Sequence, residues 1–481
     1  MKVLFVSSEV VPFAKTGGLA DVAGALPKAI RDIGHDIRVY MPRYKMVDPG
    51  KWGLRSAVTG IEVEMGGDRE TVDILEAQMP GSSLPVYFAE NRHFAERDEL
   101  YMKGGRDHPD NFEAFIAFCR AAIPFVKKLG WIPDVVHCND WQSAPLILYL
   151  HEMRKRQPTL KRCAGVYTIH NMAYQGAFPE EKVALLNEMD MGNVVHDGGI
   201  LFAKAGILFA DVVSSVSGTY SKEIQTAEFG YGLESLMKKR SADVYGIVNG
   251  VDYGLWNPAK DPQIVKRYSR NTLSLKVQNK TALQDEMELS RGETPLIGII
   301  SRLDVQKGFD ILADAMEDIM RLECQLVILG TGDPRYHKLL EQMRKKYPGR
   351  IGLKLGFDPG LAQRIYAGSD MFLMPSRYEP CGLGQIISFK YGTVPIVRRT
   401  GGLADTVYDL DPATGQGNGF IFEDYTAAAL TAAVKRALEA YKNKTLWKEL
   451  QERIMDLNYS WDASAKKYIS LYMKALDKVI K

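Results

Sequence analysis

Residues 2–42 read "KVLFVSSEVVPFAKTGGLADVAGALPKAIRDIGHDIRVYMP" (Lys2–Pro42), and their pattern decides the fold class. "KVLFVSSEV" opens on an uninterrupted apolar run, as expected of a strand covered on both faces. "GLADVAGALPKAIRDIG" then sets Leu19, Val22, Ala23, Leu26 and Ile30 on one helical face and stops at Gly34. Pro27 falls inside that helix and weakens its continuity, because proline lacks an N–H. "HDIRVYMP" returns to a strand pattern. Strand, helix and strand in this order form the repeating unit of a doubly wound parallel sheet.

The unit recurs along the chain. Further strands are expected at Pro85–Phe88, Val135–His137, Gly165–Thr168, Val212–Val216 and Tyr245–Val248, with helical stretches between them. The pattern restarts at "PLIGIISRLD" (Pro295–Asp304), followed by the helix "GFDILADAMEDIM". "CQLVILGTGDP", "RIGLKLGF", "DMFLMPS" and "TVPIVRR" supply four more strands. Between the two sets, Val248–Pro262 is rich in Gly, Asn, Asp and Pro and marks a boundary. The expected organisation is an N-terminal Rossmann-like domain over 1–248 and a second over 249–455, with a cleft between them. An amphipathic helix over 456–481 carries Tyr468, Leu471, Tyr472 and Leu476 on one face. A chain of 481 residues also exceeds what one hydrophobic core usually serves.

Composition narrows the partners. Lys plus Arg (61) against Asp plus Glu (59) leaves a net +2, with no broad electrostatic footprint for nucleic acid or an anionic membrane. The five cysteines are odd in number, scattered, and form no C-x-x-C pair, so neither a disulfide framework nor a zinc knuckle is expected. A reducing cytoplasm fits them. The opening Val3–Val6 run passes straight into Ser7, Ser8 and Glu9, unlike a signal peptide, and no stretch approaches the roughly 18 apolar residues of a membrane span.

"TGGLAD" occurs twice, at Thr16–Asp21 behind Lys15 and at Thr400–Asp405 behind Arg399. Each copy follows a strand and opens a helix, where backbone N–H groups and the helix dipole suit an anion. Neither is G-x-G-x-x-G, so a dinucleotide fingerprint is not expected. The copies stand in different contexts, the first strand of one half and the last core strand of the other, which argues against duplication. "GIISRLDVQKGFD" places Arg302 and Lys307 in the loop leaving a strand, at the edge where such sheets bind ligands; two cations there suit a diphosphate. "PSRYEPCGLGQ" (Pro375–Gln385) offers Glu379 as an acceptor for sugar hydroxyls, ahead of a helix start at Gly382–Gly384. "HCNDW" and "TIHNMAYQG" bring His137, Asp140 and His170 to the carboxyl edge of the first half. Asp409 and Asp411 form a D-x-D that reads as a loop rather than a metal site.

Seven motifs in this order, "KTGGLADV", "HCNDW", "TIHNMAYQG", "GIVNGVD", "SRLDVQKGFD", "PSRYEPCGL" and "YGTVPIVRRTGGLADTV", resemble the bacterial glycogen synthase and plant starch synthase family over essentially the whole chain. The resemblance implies an α/β GT-B fold, two Rossmann-like domains around a deep cleft, with the last helix crossing back to the first domain. It implies glucose transfer from ADP-glucose to the 4-hydroxyl at the non-reducing end of an α-1,4-glucan, with retention and with no metal or cofactor. By the same resemblance, Lys15, Gly17 and Gly18 face the donor's phosphate and glucose, and Arg302 and Lys307 neutralise the diphosphate. Gly382 and Leu383 add backbone donors. Glu379 and Cys381 lie near the donor glucose, Asn249 and Lys280 line the cleft, Phe357 stacks on adenine, and Asp140 and His170 act near the reacting glucose and acceptor.

The chain departs from the wider pattern in three places. Ile387 stands where related retaining transferases carry a second Glu, Gly384 where Thr is frequent, and Ala114 where "DNxxRF" has Arg. Other readings are the same transfer from UDP-glucose, and a catalytically idle glucan-binding protein on the same frame. The cations Arg302, Lys307 and Lys15 argue against the idle binder, which has no use for diphosphate neutralisation. A glucan phosphorylase would be a much longer chain with pyridoxal phosphate.

Overall fold

The computed structural model describes residues 1–185, 194–196 and 198–480. The chain divides into two units, Met1–Gly250 with Trp461–Lys481, and Val251–Ser460. The boundaries thus fall at Gly250 and Ser460 rather than at residues 248 and 455.

Among the described residues, the main sheet of the first unit has nine strands: β1 (Lys2–Val6), β2 (Asp36–Pro42), β3 (Arg55–Met65), β4 (Asp68–Gln78), β5 (Pro85–Glu90), β6 (Val135–Asn139), β7 (Ala164–Ile169), β8 (Val212–Ser215) and β9 (Val244–Gly246). Their order across the sheet is β9-β8-β7-β6-β1-β2-β5-β4-β3. All neighbours are parallel except β5–β4 and β4–β3, which form an antiparallel flank. Val3, Leu4, Phe5 and Val6 have no exposed surface, which explains the unbroken apolar run that opens the chain. The first helix spans Gly18–Asp32 without interruption and buries Leu19, Val22, Ala23, Leu26 and Ile30, with Pro27 also buried within it. The final helix, Trp461–Ile480, belongs to this unit and buries Tyr468, Leu471 and Tyr472. Within it, Ser464 Oγ donates to Val248 O at 2.8 Å.

The second unit carries β10 (Leu296–Ile300), β11 (Gln325–Gly330), β12 (Ile351–Leu355), β13 (Met371–Met374), β14 (Val394–Arg398) and β15 (Phe420–Phe422). They are ordered β12-β11-β10-β13-β14-β15 and all run parallel. The strand order reverses at β10, so the loops leaving β10 and β13 meet at the switch point where open α/β sheets bind ligands. Helix Phe309–Arg321 packs Phe309, Leu312, Ala315, Met316 and Ile319 onto the sheet. Among the described residues, no helix is long and apolar enough to cross a membrane.

Candidate active site

In the second unit, the loop leaving β10 is braced by one carboxylate. Asp304 Oδ2 lies 2.7 Å from Arg302 Nη1, and Asp304 Oδ1 accepts from Lys307 N at 2.9 Å. Arg302 Nη2 also donates to Gln306 Oε1 at 2.8 Å. The Lys307 ammonium reaches across to the loop leaving β13, where it donates to Glu379 Oε2 at 2.7 Å and Oε1 at 3.0 Å. Ser376 Oγ adds a bond to Glu379 Oε2 at 3.0 Å. The two loops approach so closely at Gly308 that a Cβ there would sit 2.0 Å from Pro375 O, and φ is +79°. Lys307 and Glu379 are therefore brought together, and Asp304 ties Arg302 to the same loop. Asp304 and Ser376, which sequence reading missed, hold them.

The second TGG turn supports this loop from behind. Gly402 N donates to Glu379 O at 3.0 Å. A Cβ on Gly401 would lie 1.9 Å from Glu379 O, and one on Gly402 1.9 Å from Cys381 O. The glycines are there for close backbone packing. Arg399 turns away to Glu423 at 2.5 Å, and Arg398 donates to Glu423 O at 3.2 Å. Cys381 is buried, and Leu383 caps the helix Gly384–Lys390. Gly382 has a φ of +72°, and Gln385 Nε2 donates to both Cys381 O and Gly382 O. Phe357 follows β12 with 86% of its surface exposed.

In the first unit, β6 and β7 end beside each other and deliver Asp140 and His170. Asp140 holds a left-handed backbone, φ +55°, rare for a side chain with a Cβ and of the kind that gathers at functional sites. Its Oδ1 accepts from His170 N at 2.7 Å. Burial pushes the Asp140 carboxyl up to about 7, against the lowering effect of the His170 and Asn171 N–H groups. The His170 Nε2 lies 3.0 Å from Asn139 Oδ1. The Asn139 amide nitrogen is spent on Val6 O, so its oxygen faces the ring and the imidazole proton is assigned to Nε2. Burial pulls His170 down to about 3, so the ring is neutral and Nδ1 is an acceptor. Asn249 follows β9 with Oδ1 buried and unpartnered among the described residues, an acceptor available to a ligand hydroxyl.

Lys15 Nζ lies 2.7 and 2.8 Å from the two oxygens of Asp21, and both side chains are exposed. The turn behind it corrects one expectation. Its N–H groups are not all open to a bound anion, because Thr16 N and Gly17 N both donate to Glu9 Oε2. Burial pushes the Glu9 carboxyl up, against these hydrogen bonds.

Three further expectations are resolved. Lys280 is not at a ligand-binding edge: its Nζ lies 2.7 Å from Asp370 Oδ2, and the same oxygen accepts from Leu296 N at 2.9 Å. Asp370 and Leu296 stand at the amino ends of β13 and β10, so Lys280 is a clamp at the opposite edge from Glu379. His137 is fully buried, with Nδ1 2.8 Å from Tyr472 OH and Nε2 2.7 Å from Thr168 Oγ1. It ties β6 to the final helix. Asp409 pairs with Arg436 at 2.6 Å, and Asp411 closes its own turn through Ala413 N and Thr414 Oγ1.

Two Rossmann-like units, the second with cations in the loop at its switch point, are what a GT-B glycosyltransferase contains, and similarity to known proteins assigns the chain to that class. Residues 2–239 match the family model for a starch synthase catalytic domain, and residues 281–454 that for glycosyl transferases group 1. A glycogen synthase of Geotalea uraniireducens is 46% identical over 482 residues, covering 99% of each chain. One from Thermotoga maritima is 44% identical over 489 residues, covering all of both. The catalytic domain of starch synthase IV from Arabidopsis thaliana, solved with ADP and acarbose, superposes with a TM-score of 0.89 at 33% identity over 99% of each chain. Sucrose-phosphate synthase of Thermosynechococcus elongatus shares the fold alone, with a TM-score of 0.62 at 18% identity over 98% of each chain. The chain belongs to the glycogen synthase family and is a glucosyltransferase.

Proposed function

We propose that the protein elongates an α-1,4-glucan in the cytoplasm, transferring glucose from ADP-glucose to the non-reducing 4-hydroxyl with retention of configuration. The Arg302–Lys307–Glu379 group carries this reading. Two cations beside a buried carboxylate at a switch point suit a diphosphate attached to a sugar. As the bond from glucose C1 to the phosphate oxygen breaks, negative charge grows on the diphosphate, and Arg302 and Lys307 offset it. Glu379, with its charge taken up by Lys307 and Ser376, accepts hydrogen bonds from the glucose hydroxyls rather than attacking C1. The acceptor oxygen then approaches the face the diphosphate leaves, and its proton passes to the departing phosphate, so ADP and a lengthened glucan balance the reaction.

In the first unit, Lys15, the Gly17–Gly18 turn, Asp140, His170 and Asn249 serve the phosphate, the reacting glucose and the acceptor. In the second unit, Cys381, Gly382 and Leu383 adjoin the donor glucose and phosphate. The exposed Phe357 ring suits stacking on adenine, and the ADP and acarbose in the starch synthase IV structure support both ligand classes. The test offers glycogen with ADP-glucose, UDP-glucose or glucose 1-phosphate and no added divalent metal. Elongation with ADP release from ADP-glucose is expected. Preference for UDP-glucose would change the donor, and glucan binding without turnover of any donor would make the protein an idle binder.

A further inference from the structure

The Lys15 turn needs an anchor, and Glu9 is placed to be one. Glu9 lies just past β1, 4% exposed. Its Oε2 accepts from Thr16 N, from Thr16 Oγ1 at 2.9 Å and from Gly17 N at 3.2 Å. Three donors on one carboxylate oxygen, shielded from water, make charge-assisted bonds that solvent does not replace. The backbone that carries Glu9 is fixed in turn: Tyr44 OH donates to Ser8 O at 2.9 Å, and Ser8 Oγ lies 2.6 Å from Tyr101 OH. On either side of the turn, Val10 N bonds Ala14 O and Val11 N bonds Ala20 O, both at 3.0 Å. Those bonds hold the base of the loop and the helix, and Glu9 holds the tip between them.

Two carboxylates thus divide the work around Lys15. The buried Glu9 grips the backbone on its C-terminal side. Asp21, more than a third exposed, holds the ammonium in a pair that a phosphate can displace. We propose that Glu9 is a positioning residue, fixing the Thr16–Gly17 backbone and through it the Lys15 side chain. Its effect on turnover rests on the donor reading above; the tether itself does not.

Glu9→Gln keeps an amide oxygen in reach of the three donors, and Glu9→Leu removes them. In the full-length protein, amide exchange at Thr16 and Gly17 should quicken by about tenfold or more in Glu9→Leu and stay near wild type in Glu9→Gln, with the amides of Lys2–Val6 unchanged. Unchanged exchange at Thr16 and Gly17 overturns the tether, whatever the protein catalyses. With ADP-glucose and glycogen, Glu9→Leu should lower kcat by about tenfold, but by less than about threefold when Lys15 is already Ala. Equal losses in both backgrounds would make Glu9 merely structural. Should Glu9→Leu fail to fold, Glu9→Asp, one methylene short, carries the same expectations. If wild-type protein uses no ADP-glucose, the donor reading fails and the exchange result still decides the tether.

Discussion

The Lys307 ammonium sits 2.7 Å from one oxygen of the Glu379 carboxylate and 3.0 Å from the other, joining the loop that leaves β10 to the loop that leaves β13. Glu379 is buried, so the pair holds a charge that water does not solvate. Removing one partner leaves that charge uncompensated, a loss of about 3 kcal/mol for such pairs. Lys307→Ala should therefore lower both the thermal midpoint and kcat, the latter by about a hundredfold. Adding Glu379→Gln to Lys307→Ala should restore part of the midpoint and none of the turnover. Melting curves and steady-state rates on the three proteins check this; an unchanged midpoint in Lys307→Ala contradicts it.

Lys15 and Arg399 precede the same six residues, yet the structure uses them differently. Lys15 is held by Asp21 in the first turn of the helix it precedes, while Arg399 turns to Glu423 in an exposed pair. Exposed pairs of this kind contribute about 0–1 kcal/mol. Lys15→Ala should cut kcat/KM for ADP-glucose by about a hundredfold, and Arg399→Ala by less than about threefold, with both melting near wild type. Equal losses would place the two cations in equivalent roles.

Much of the fold was legible because buried parallel strands leave unbroken apolar runs. Lys2–Val6 and Asp36–Pro42 are read directly, and the helix between them survives Pro27 because its apolar face, proline included, is packed away from solvent. The flank of β3 and β4 went unread although Gly66–Gly67 separates them. Its strands alternate with Glu, Arg and Asp, and bulges between Ser56 and Ile61 break the period. β15 is three residues long, too short for any period.

The site was legible as residue types and only partly as geometry. Arg302, Lys307 and Glu379 declare themselves as cations and an acid in loops that leave strands. That Lys307 and Glu379 touch depends on the approach of Gly308 to Pro375 O, which no local pattern encodes. Lys280 was set in the cleft by resemblance alone, and the short motif around it does not encode its reach to Asp370 at the amino ends of β13 and β10. Glu9 looked like the polar end of a strand, and its role depends on a turn seven residues further on that folds back over it.

A second buried ionic cluster sets a pH limit on the first unit. His93 lies 3.0 Å from Glu70 Oε2 and 2.7 Å from Asp110 Oδ2, with Arg92 on Glu70 and Arg97 on Asp110. Hydrogen bonds and charge from Asp110 and Glu70 outweigh burial and raise His93 to about 9. A folded value above that of free imidazole means the fold binds the charged ring. Its contribution is complete below pH about 6.5 and is lost as pH rises through about 9, worth at most about 3 kcal/mol. Asp110, held down to about 2, acts at the other end and loses its contribution as pH falls towards that value. Thermal midpoints at pH 6.5, 8 and 9.5 (values flanking the titration) should fall with pH in wild type and less steeply in His93→Gln. Parallel profiles would remove His93 from the alkaline limb.

The two TGG turns can be separated by a single methyl group. At Gly18 an added Cβ meets nothing within 4 Å, and φ is not positive, so Gly18→Ala should leave the thermal midpoint unchanged or slightly higher, as a helical residue replaces glycine. Any loss of turnover in that variant then reports crowding of the ligand. At Gly402 the same Cβ would sit 1.9 Å from Cys381 O, in backbone that has no side chain to move aside. Gly402→Ala should push the Glu379–Cys381 loop away from its support, lowering the thermal midpoint and kcat together. The pair of variants thus assigns a ligand-facing role to the first turn and a supporting role to the second. A Gly402→Ala protein with wild-type stability and rate would show that the loop bearing Glu379 does not need the second turn beneath it.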